Sequence, residues 1–411
     1  MQYGLIGKTL KHSYSKEIHE ALYHQEYQLK EIPADSLDSF LKEKDFKAIN
    51  VTIPYKEKVI PYLDYISPEV KEIGACNTIV NQNGKLYGYN TDTLGLEDLI
   101  AHNQIDVKGK TVLILGTGGT SKTARYTLNK LGAKEIYFAS RSQSEGCISY
   151  WNLNSIASKI EVIVNTTPCG MWPALNCAPL SLEPFSSLEA VVDVIYNPLN
   201  TRLVLEARKR GIKALNGLRM LVAQALFAAE KFLSTTFDKD FISSYTKKLQ
   251  KEKQNIVLIG MPSSGKSTIG KRIAELTSRP FYDVDEEIEK KIKMTIKEFF
   301  EEFGEESFRI VEEEVIKSLS TLTSAVIATG GGSILRDDNV FLLKNNGALY
   351  FLNRSLSLLI TTSSRPLSSN AEDLKKRYEE RMDRYLTVSD YIVDGDRSVE
   401  EISKDIAGGV L

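Results

Sequence analysis

The sequence predicts an α/β protein in which parallel sheets are flanked by helices. Three observations lead there. Short apolar, β-branched runs alternate with longer amphipathic stretches along most of the chain. Two of those runs, "TVLIL" (111–115) and "IVLIG" (256–260), each lead into a glycine-containing loop and then a helical pattern. Between them the polar, lysine-rich stretch "TTFDKDFISSYTKKLQKEKQN" (235–255) has little to bury and marks a boundary. With 411 residues the chain is too long for one ordinary core, so two or three domains are expected.

The elements follow in order. Residues 1–100 mix short strands ("YGLIG", "AINVTI", "NTIV") with helices and form a first domain, which the amphipathic helix 217–235 ("GLRMLVAQALFAAEKFL" at its start) closes. Residues 101–216 run through "TVLIL", "EIYFAS", "EVIVNTT" and "AVVDVIY", strands separated by helices, hence a parallel sheet. Residues 236–254 are a linker. Residues 255–411 begin strand–loop–helix, continue through "PFYDVD", a charged helical region at 286–319, the strands "AVIATGGG" and "ALYFL", and end in a helix.

Composition removes several function classes. Hydrophobic residues make up 42% and charged residues 26%, the balance of a soluble globular protein. The formal net charge of -2 gives no general attraction to nucleic acid or anionic lipid, so neither is expected as a partner. No apolar run is long enough to span a bilayer, and "MQYGLIGKTLKHS" lacks the layout of a signal peptide, so a cytoplasmic location is expected. Cys76, Cys147, Cys169 and Cys177 form no C-x-x-C pair and are expected as free thiols. All four histidines and all four cysteines precede residue 180, so the C-terminal part must do its chemistry without imidazole or thiol.

The first glycine loop, Gly116-Thr117-Gly118-Gly119-Thr120, follows a buried strand and opens a helix. A pyrophosphate reaches backbone N–H groups at a helix N-terminus only where side chains are absent, so the segment reads as a Rossmann-like dinucleotide site. A tight turn without a ligand is the plain alternative, and Ser121 replaces the small third residue of the fingerprint. At the end of the next strand stands Arg141 between Ser140 and Ser142, where an NAD site usually carries an acid. Arginine with small hydroxyls suits a 2′-phosphate, which favours NADP.

The stretch "NVTIPYK" (50–56) puts Lys56 just past a proline that ends a strand-like run. Most lysines are solvated surface charges. Here, with "HSYS" (Ser13, Ser15), "GACNT" (Asn77), "GYNTDTLG" (Asp92), "NTTPCGM" (165–171), "DVIYNP" (193–198) and "NGLRMLVAQ" (216–224), it resembles the shikimate dehydrogenase family across almost all of residues 1–235. The resemblance implies reversible hydride transfer between NADPH and 3-dehydroshikimate, giving shikimate. It implies Lys56 as general acid/base with Asp92 holding its ammonium. It further implies that Ser13 and Ser15 bind the substrate carboxylate, that Thr52, Asn77, Asp92, Tyr196 and Gln224 hold its hydroxyls and ring, and that Val194, Gly217 and Met220 line the nicotinamide. Lys16 stands where the family usually has proline, and Glu145 where a second basic residue is common.

The second loop, "GMPSSGKST", has the form G-x-x-x-x-G-K-[ST] of a P-loop. Backbone N–H groups from Gly260 through Ser263, Ser264, Gly265 and Thr268 would wrap the β-phosphate of ATP, Lys266 would reach the β/γ oxygens, and Ser267 would ligate Mg²⁺. Asp283 and Asp285 are two apart at a strand end and would point the same way, one serving the Mg²⁺ shell and the other the acceptor. "ESFRIV" carries Arg309, "ATGGGS" offers Gly330, Gly331 and Gly332 for close backbone contact, "TTSSRPL" carries Arg365 on a short lid, and "ERMDRY" carries Arg381.

From about 254 to 411 this part resembles the shikimate kinase family, of nucleoside-monophosphate-kinase-like fold. The resemblance implies that Asp285 positions the acceptor hydroxyl, Arg309 and Arg381 bind its carboxylate, Gly331 touches its ring and Arg365 contacts nucleotide. Arg381 is preferred to Arg384 because it keeps the family's spacing to Tyr385 and Asp390. The lid is shortened, with nothing basic between Arg354 and Arg365. The two resemblances converge on one metabolite, so a bifunctional enzyme making shikimate and then shikimate 3-phosphate is expected, with 3-dehydroshikimate and shikimate as its small-molecule partners. A dehydrogenase carrying a weak or inactive kinase-like binding module is the alternative, and quinate in place of shikimate stays open.

Overall fold

The computed structural model describes residues 1–10, 13–141, 146–359 and 371–410. It is α/β throughout and divides into two compact units. The first comprises Met1–Gly170, Ala178–Tyr196 and Leu203–Lys248; the second comprises Met171–Cys177, Asn197–Arg202 and Leu249–Leu411.

The first unit contains two sheets. Strands β1 (Tyr3–Gly7), β2 (Tyr27–Glu31), β3 (Ala48–Val51), β4 (Tyr65–Ile66), β5 (Thr78–Gln82) and β6 (Lys85–Tyr89) are arranged β2-β1-β3-β5-β6-β4. This sheet is mixed: β1 pairs in parallel with β2 and β3, whereas β5 runs antiparallel to β3 and β6. Asn83 and Gly84 join β5 to β6 with φ of 54° and 82°, the left-handed pair that a two-residue hairpin needs. Helices α1 (Ser15–Tyr23), α2 (Leu37–Glu43) and α3 (Pro68–Ile73) belong to this layer, and α4 (Asp92–His102) leaves it.

The second sheet is β7 (Thr111–Leu115), β8 (Glu135–Ser140), β9 (Cys147–Ser149), β10 (Val162–Asn165), β11 (Ala190–Asp193) and β12 (Lys213–Leu215), in the order β12-β11-β10-β7-β8-β9 and parallel at every pairing. Every residue of β7, β10 and β11 is buried, as strands covered on both faces must be. Leu113, Ile163 and Val191 pack into the core on one face, and Ile114, Val164 and Val192 into the core on the other. Helices α5 (Gly119–Lys130), α6 (Arg202–Lys209) and α7 (Leu218–Leu233) follow their strands. The strand order reverses between β7 and β10, and the 116–120 loop sits at that switch point.

Residues expected as linker include a helix, α8 (Asp240–Lys253). The polar composition hides an apolar stripe: Ile242, Tyr245 and Leu249 are buried, and the Tyr245 hydroxyl donates to Glu17 O at 2.9 Å. The expectation of four free thiols is also corrected. Cys169 and Cys177 are disulfide-bonded, with Gly170 and Pro173 in the turn between them, and only Cys76 and Cys147 are free.

The second unit has one parallel sheet of β13 (Asn255–Ile259), β14 (Phe281–Asp283), β15 (Val326–Ala328), β16 (Gly347–Asn353) and β17 (Tyr391–Asp394), in the order β14-β15-β13-β16-β17. Its helices are α9 (Lys266–Thr277), α10 (Val284–Ile292), α11 (Ile296–Leu319, interrupted at Gly304), α12 (Asp337–Asn346), α13 (Ala371–Val388) and α14 (Val399–Val410). The fully buried β13 is central, so the loop that leaves it lies in the middle of the sheet's C-terminal edge.

Candidate active sites

In the first unit, Thr52 to Lys56 form a turn hung from the end of β3. Thr52 N donates to Ile6 O at 3.0 Å, and Tyr55 N returns to Thr52 O at 2.9 Å. Tyr55 is fully buried and donates its hydroxyl to Ile32 O, which anchors the turn beside the mostly buried Lys56. Lys56 Nζ lies 2.6 Å from Asp92 Oδ2. Asp92 opens α4, where the positive end of the helix dipole favours a carboxylate. The side chains of Lys56 and Asp92 are only 15% and 11% exposed, so the pair is shielded from water while still reachable.

Asn77 is tied behind this pair. Its Oδ1 accepts from Thr91 N at 2.8 Å and from Thr78 Oγ1 at 2.9 Å, and its Nδ2 donates to Thr91 Oγ1 at 3.1 Å, so the orientation of the amide is fixed and one Nδ2 hydrogen is left for a further acceptor. Asn50 supports the arrangement, donating to Asn77 O at 3.2 Å and Thr78 Oγ1 at 3.1 Å while accepting from the Tyr27 hydroxyl at 2.7 Å. Ser13 Oγ accepts from Ser15 N at 3.2 Å, and the ring of Tyr14 between them lies 5.3 Å from that of Tyr196. The segment that carries the serine pair therefore lies against Tyr196 through the ring of Tyr14. Burial pushes the Tyr196 phenol up to about 12, which keeps its proton available for donation.

Helix α7 joins through a close crossing with α4. A Cβ on Gly95 would come within 2.7 Å of Met220 O and 3.0 Å of Gln224 Cβ, so only glycine lets the helices approach. Gln224 Nε2 donates to Leu221 O at 2.9 Å. Gly217 is as tight, because its Cβ would lie 2.0 Å from Val194 O. Val194, Gly217 and Met220 thus gather at one place. Gly116 has φ of 104° and faces Thr166, whereas nothing lies within 4 Å of a Cβ placed on Gly118. Thr117 is exposed, and Gly119 and Thr120 begin α5. Ser140 is buried at the end of β8 and Arg141 is exposed beside it. Ser142 and Glu145 lie outside the described residues, as do His12 and the lid arginine Arg365.

In the second unit a cavity of about 540 Å³ is lined by Ser263, Gly265–Thr268, Asp283, Asp285, Arg309, Gly330–Gly332 and Arg381 together with Pro262, Glu312 and Arg377. Lys266 is buried and donates to Gly260 O at 2.9 Å and Met261 O at 2.8 Å, while Ser264 is fully buried beneath the loop. Ser267 Oγ donates to Asp283 Oδ2 at 2.5 Å. Asp283 ends β14 and caps α10, accepting from Asp285 N at 3.0 Å. Asp283 and Asp285 therefore do not project as alternate residues of one strand, as expected, because the helix starts between them. Both still line the cavity.

The glycine triplet is dictated by what presses on it. A Cβ would stand 2.8 Å from Asp285 Oδ1 at Gly330, 2.7 Å from Pro262 Cδ at Gly331 and 2.5 Å from Arg309 Nη2 at Gly332. Arg309 is buried against Glu312 at 2.8 Å and also reaches Glu305 at 3.0 Å. Burial opposes its charge, but the two carboxylates outweigh that and raise its pKa. Arg381 donates to Gly331 O at 3.0 Å, and burial lowers its pKa. Arg384 points elsewhere, to Ile334 O at 2.8 Å and to Asp337.

Sequence reasoning passed over Tyr14, Thr91 and Glu312. Glu312 carried a signal, three residues beyond Arg309 on one helix face. Tyr14 and Thr91 carried none beyond lying next to predicted residues.

Comparison with known proteins finds separate matches for the N-terminal and C-terminal parts of the chain. The model of the shikimate dehydrogenase substrate binding domain matches residues 5–79, and that of shikimate kinase matches residues 262–408. A shikimate dehydrogenase (NADP(+)) of Caldanaerobacter subterraneus subsp. tengcongensis is 36% identical over 264 residues, covering 58% of this chain and 94% of the relative. The crystal structure of shikimate dehydrogenase 1 from Peptoclostridium difficile is 37% identical at a TM-score of 0.57, covering 61% of this chain and 98% of that one. Shikimate 5-dehydrogenase from Thermus thermophilus, in complex with NADP(H) and shikimate, is 28% identical at a TM-score of 0.55 and covers 60% and 99%. Through its N-terminal part the chain belongs to the shikimate dehydrogenase family, and its residues 262–408 match the shikimate kinase model.

Proposed function

We propose that the chain reduces 3-dehydroshikimate reversibly to shikimate with NADPH in its first unit, and phosphorylates shikimate with ATP to shikimate 3-phosphate in its second. The observation that carries the first activity is the shielded Lys56–Asp92 pair at 2.6 Å, beside an Asn77 whose amide is already oriented. Bound NADPH supplies the hydride. Lys56 gives a proton to the oxygen at C3 as that oxygen gains charge, and takes it back in the reverse direction. Asp92 holds the lysine in line, and Asn77, Thr52, Tyr196 and Gln224 hold the hydroxyls and ring. Ser13 and Ser15 donate to the carboxylate. The open backbone at Gly118 and the N-terminus of α5 suit a pyrophosphate, and Arg141 beside Ser140 suits the 2′-phosphate.

For the second activity, phosphoryl transfer needs positioning and charge stabilisation more than a nucleophilic side chain. Lys266 and the 260–268 backbone hold the phosphates, Asp285 orients the acceptor hydroxyl, and Arg309 and Arg381 hold the acceptor carboxylate. Ser267 and Asp283 bring a hydroxyl and a carboxylate oxygen together, a donor set that fits Mg²⁺ completing its shell with phosphate and water. That ion supplies neutralisation of phosphate charge. Supplying 3-dehydroshikimate, NADPH and ATP together tests the reading, with both shikimate and shikimate 3-phosphate expected to form. The shortened lid sustains one second reading, a dehydrogenase with a kinase-like binding module. Shikimate formation without any ATP-dependent 3-phosphate would favour it.

A further inference from the structure

Two stretches far apart in the chain are read above as holding the substrate of the first unit, Ser13 and Ser15 at its carboxylate and Tyr196 at its ring and hydroxyls. Between the two serines stands Tyr14, a buried phenol to which the chemistry proposed above gives no task. Tyr14 is the N-cap of α1, with φ of -86° and ψ of 2°, and its side chain makes no capping hydrogen bond. Helix N-caps favour Ser, Thr, Asp or Asn, whose short oxygens satisfy the first free N–H groups. Here that duty passes to the residue before, as Ser13 Oγ accepts from Ser15 N at 3.2 Å. A large ring therefore holds a position that helix formation alone would give to a small polar residue.

The ring goes to Tyr196 instead. The two centroids are 5.3 Å apart at an interplanar angle of 55°, a spacing at which aromatic rings attract. Tyr196 follows β11, and the chain just before it is fixed by its own sheet. Ile195 N donates to Asp193 Oδ1 at 3.0 Å, and Gly217 N donates to Ile195 O at 2.8 Å. The start of α1 is held in turn by α8, whose Tyr245 hydroxyl donates to Glu17 O at 2.9 Å. Tyr14 thus joins two anchored segments through one ring contact. Burial above all, with the Glu17 carboxylate adding to it, raises the pKa of both phenols, so both stay protonated at neutral pH.

We propose that Tyr14 is a positioning residue for the substrate carboxylate: packed on Tyr196, its ring sets the serine hydroxyls at a fixed separation from the Tyr196 phenol, so that carboxylate and ring are held in one register. Groups already held in one geometry bind without the cost of ordering them. The reacting oxygen is handled by Lys56 and Asp92, which other elements supply. Loss of the Tyr14 ring therefore weakens the hold on substrate and transition state alike, an effect that falls on KM and spares kcat. This inference rests on the reading of the first unit as an enzyme that binds the shikimate carboxylate through Ser13 and Ser15.

The test follows NADP⁺-dependent oxidation of shikimate and of shikimate methyl ester by the full-length chain and its Tyr14→Ala and Tyr14→Phe variants. Tyr14→Ala should raise KM for shikimate about tenfold, with kcat and KM for NADP⁺ within about twofold of the parent. The methyl ester offers no carboxylate charge, so its KM should stay near the parental value and the preference for the acid should shrink. Tyr14→Phe keeps the ring and should behave as the parent. An unchanged KM for shikimate in Tyr14→Ala overturns the inference. So does an equal loss for acid and ester, which marks general damage to the unit, and so does a Tyr14→Phe variant as impaired as Tyr14→Ala, which puts the effect in the hydroxyl. If the parent does not oxidise shikimate, or treats acid and ester alike, the reading of the site fails and takes this inference with it; if the parent prefers the acid and both variants match it, only the inference fails.

Discussion

Lys56 and Asp92 come from two segments 36 positions apart, and each needs a different local device to arrive. The lysine is presented by a turn whose buried Tyr55 acts as the anchor, the aspartate by the first turn of α4. Removing the ammonium should remove the proton transfer and little else. Lys56→Ala should lower dehydrogenase turnover by about 10²–10⁴-fold while shikimate phosphorylation stays at the parental rate; steady-state assays of the two reactions check this. Lys266→Ala should show the opposite pattern. A different residue sets the acid limit of the first unit. His19 is fully buried, stacked on Tyr27 at 4.2 Å and on Phe232 at 5.7 Å, and burial lowers its pKa from 6.5 to about 3. The folded chain keeps this imidazole neutral where the unfolded chain would protonate it. Its contribution is complete above pH 6.5 and falls, by about 1.4 kcal/mol per pH unit, as pH drops toward 3. Denaturant titrations from pH 7 to pH 4 should show that slope, and His19→Phe should remove it.

At the scale of elements, the close approaches around glycine are as constrained as the Lys56–Asp92 pair. Gly332→Ala would drive a methyl group into the Arg309 guanidinium, so shikimate phosphorylation should fall about a hundredfold while hydride transfer continues unchanged. The longer apolar strands and the two glycine loops that follow β7 and β13 were legible in the sequence, because each rests on a local pattern: an apolar run, a glycine at a turn, a motif spacing. Residues whose role depends on neighbours distant in sequence were not. Thr91 matters because its amide reaches Asn77, and Tyr14 because its ring meets Tyr196. The Asn83–Gly84 hairpin carried a local signal that the reading of strands and helices in residues 1–100 did not use. Composition misled twice. Lysines on one side of α8 masked the stripe that buries Ile242 and Leu249, and cysteine spacing alone said nothing of the disulfide bonding of Cys169 and Cys177.

At the scale of the whole molecule, one small polyhydroxylated acid is proposed to be recognised twice by opposite means. Neutral donors (Ser13, Ser15, Asn77) do so in the first unit, and guanidinium groups (Arg309, Arg381) in the second. When 3-dehydroshikimate, NADPH and ATP are supplied together, a time course of both products reports how shikimate travels. Free release predicts a lag before shikimate 3-phosphate appears, and that lag should shorten when shikimate is added at the start. The side-chain bonds that run from Tyr27 through Asn50 and Thr78 to Asn77 and Thr91 cross the first sheet from strand to strand. They cross-brace the floor on which the substrate is read. The amide protons of Val51, donated to Asn77 O at 2.8 Å, and of Thr91 should therefore be among the slowest in the chain to exchange with deuterium. Saturating shikimate should slow exchange in the 52–59 turn and leave that floor unchanged, because it is already rigid before any ligand arrives.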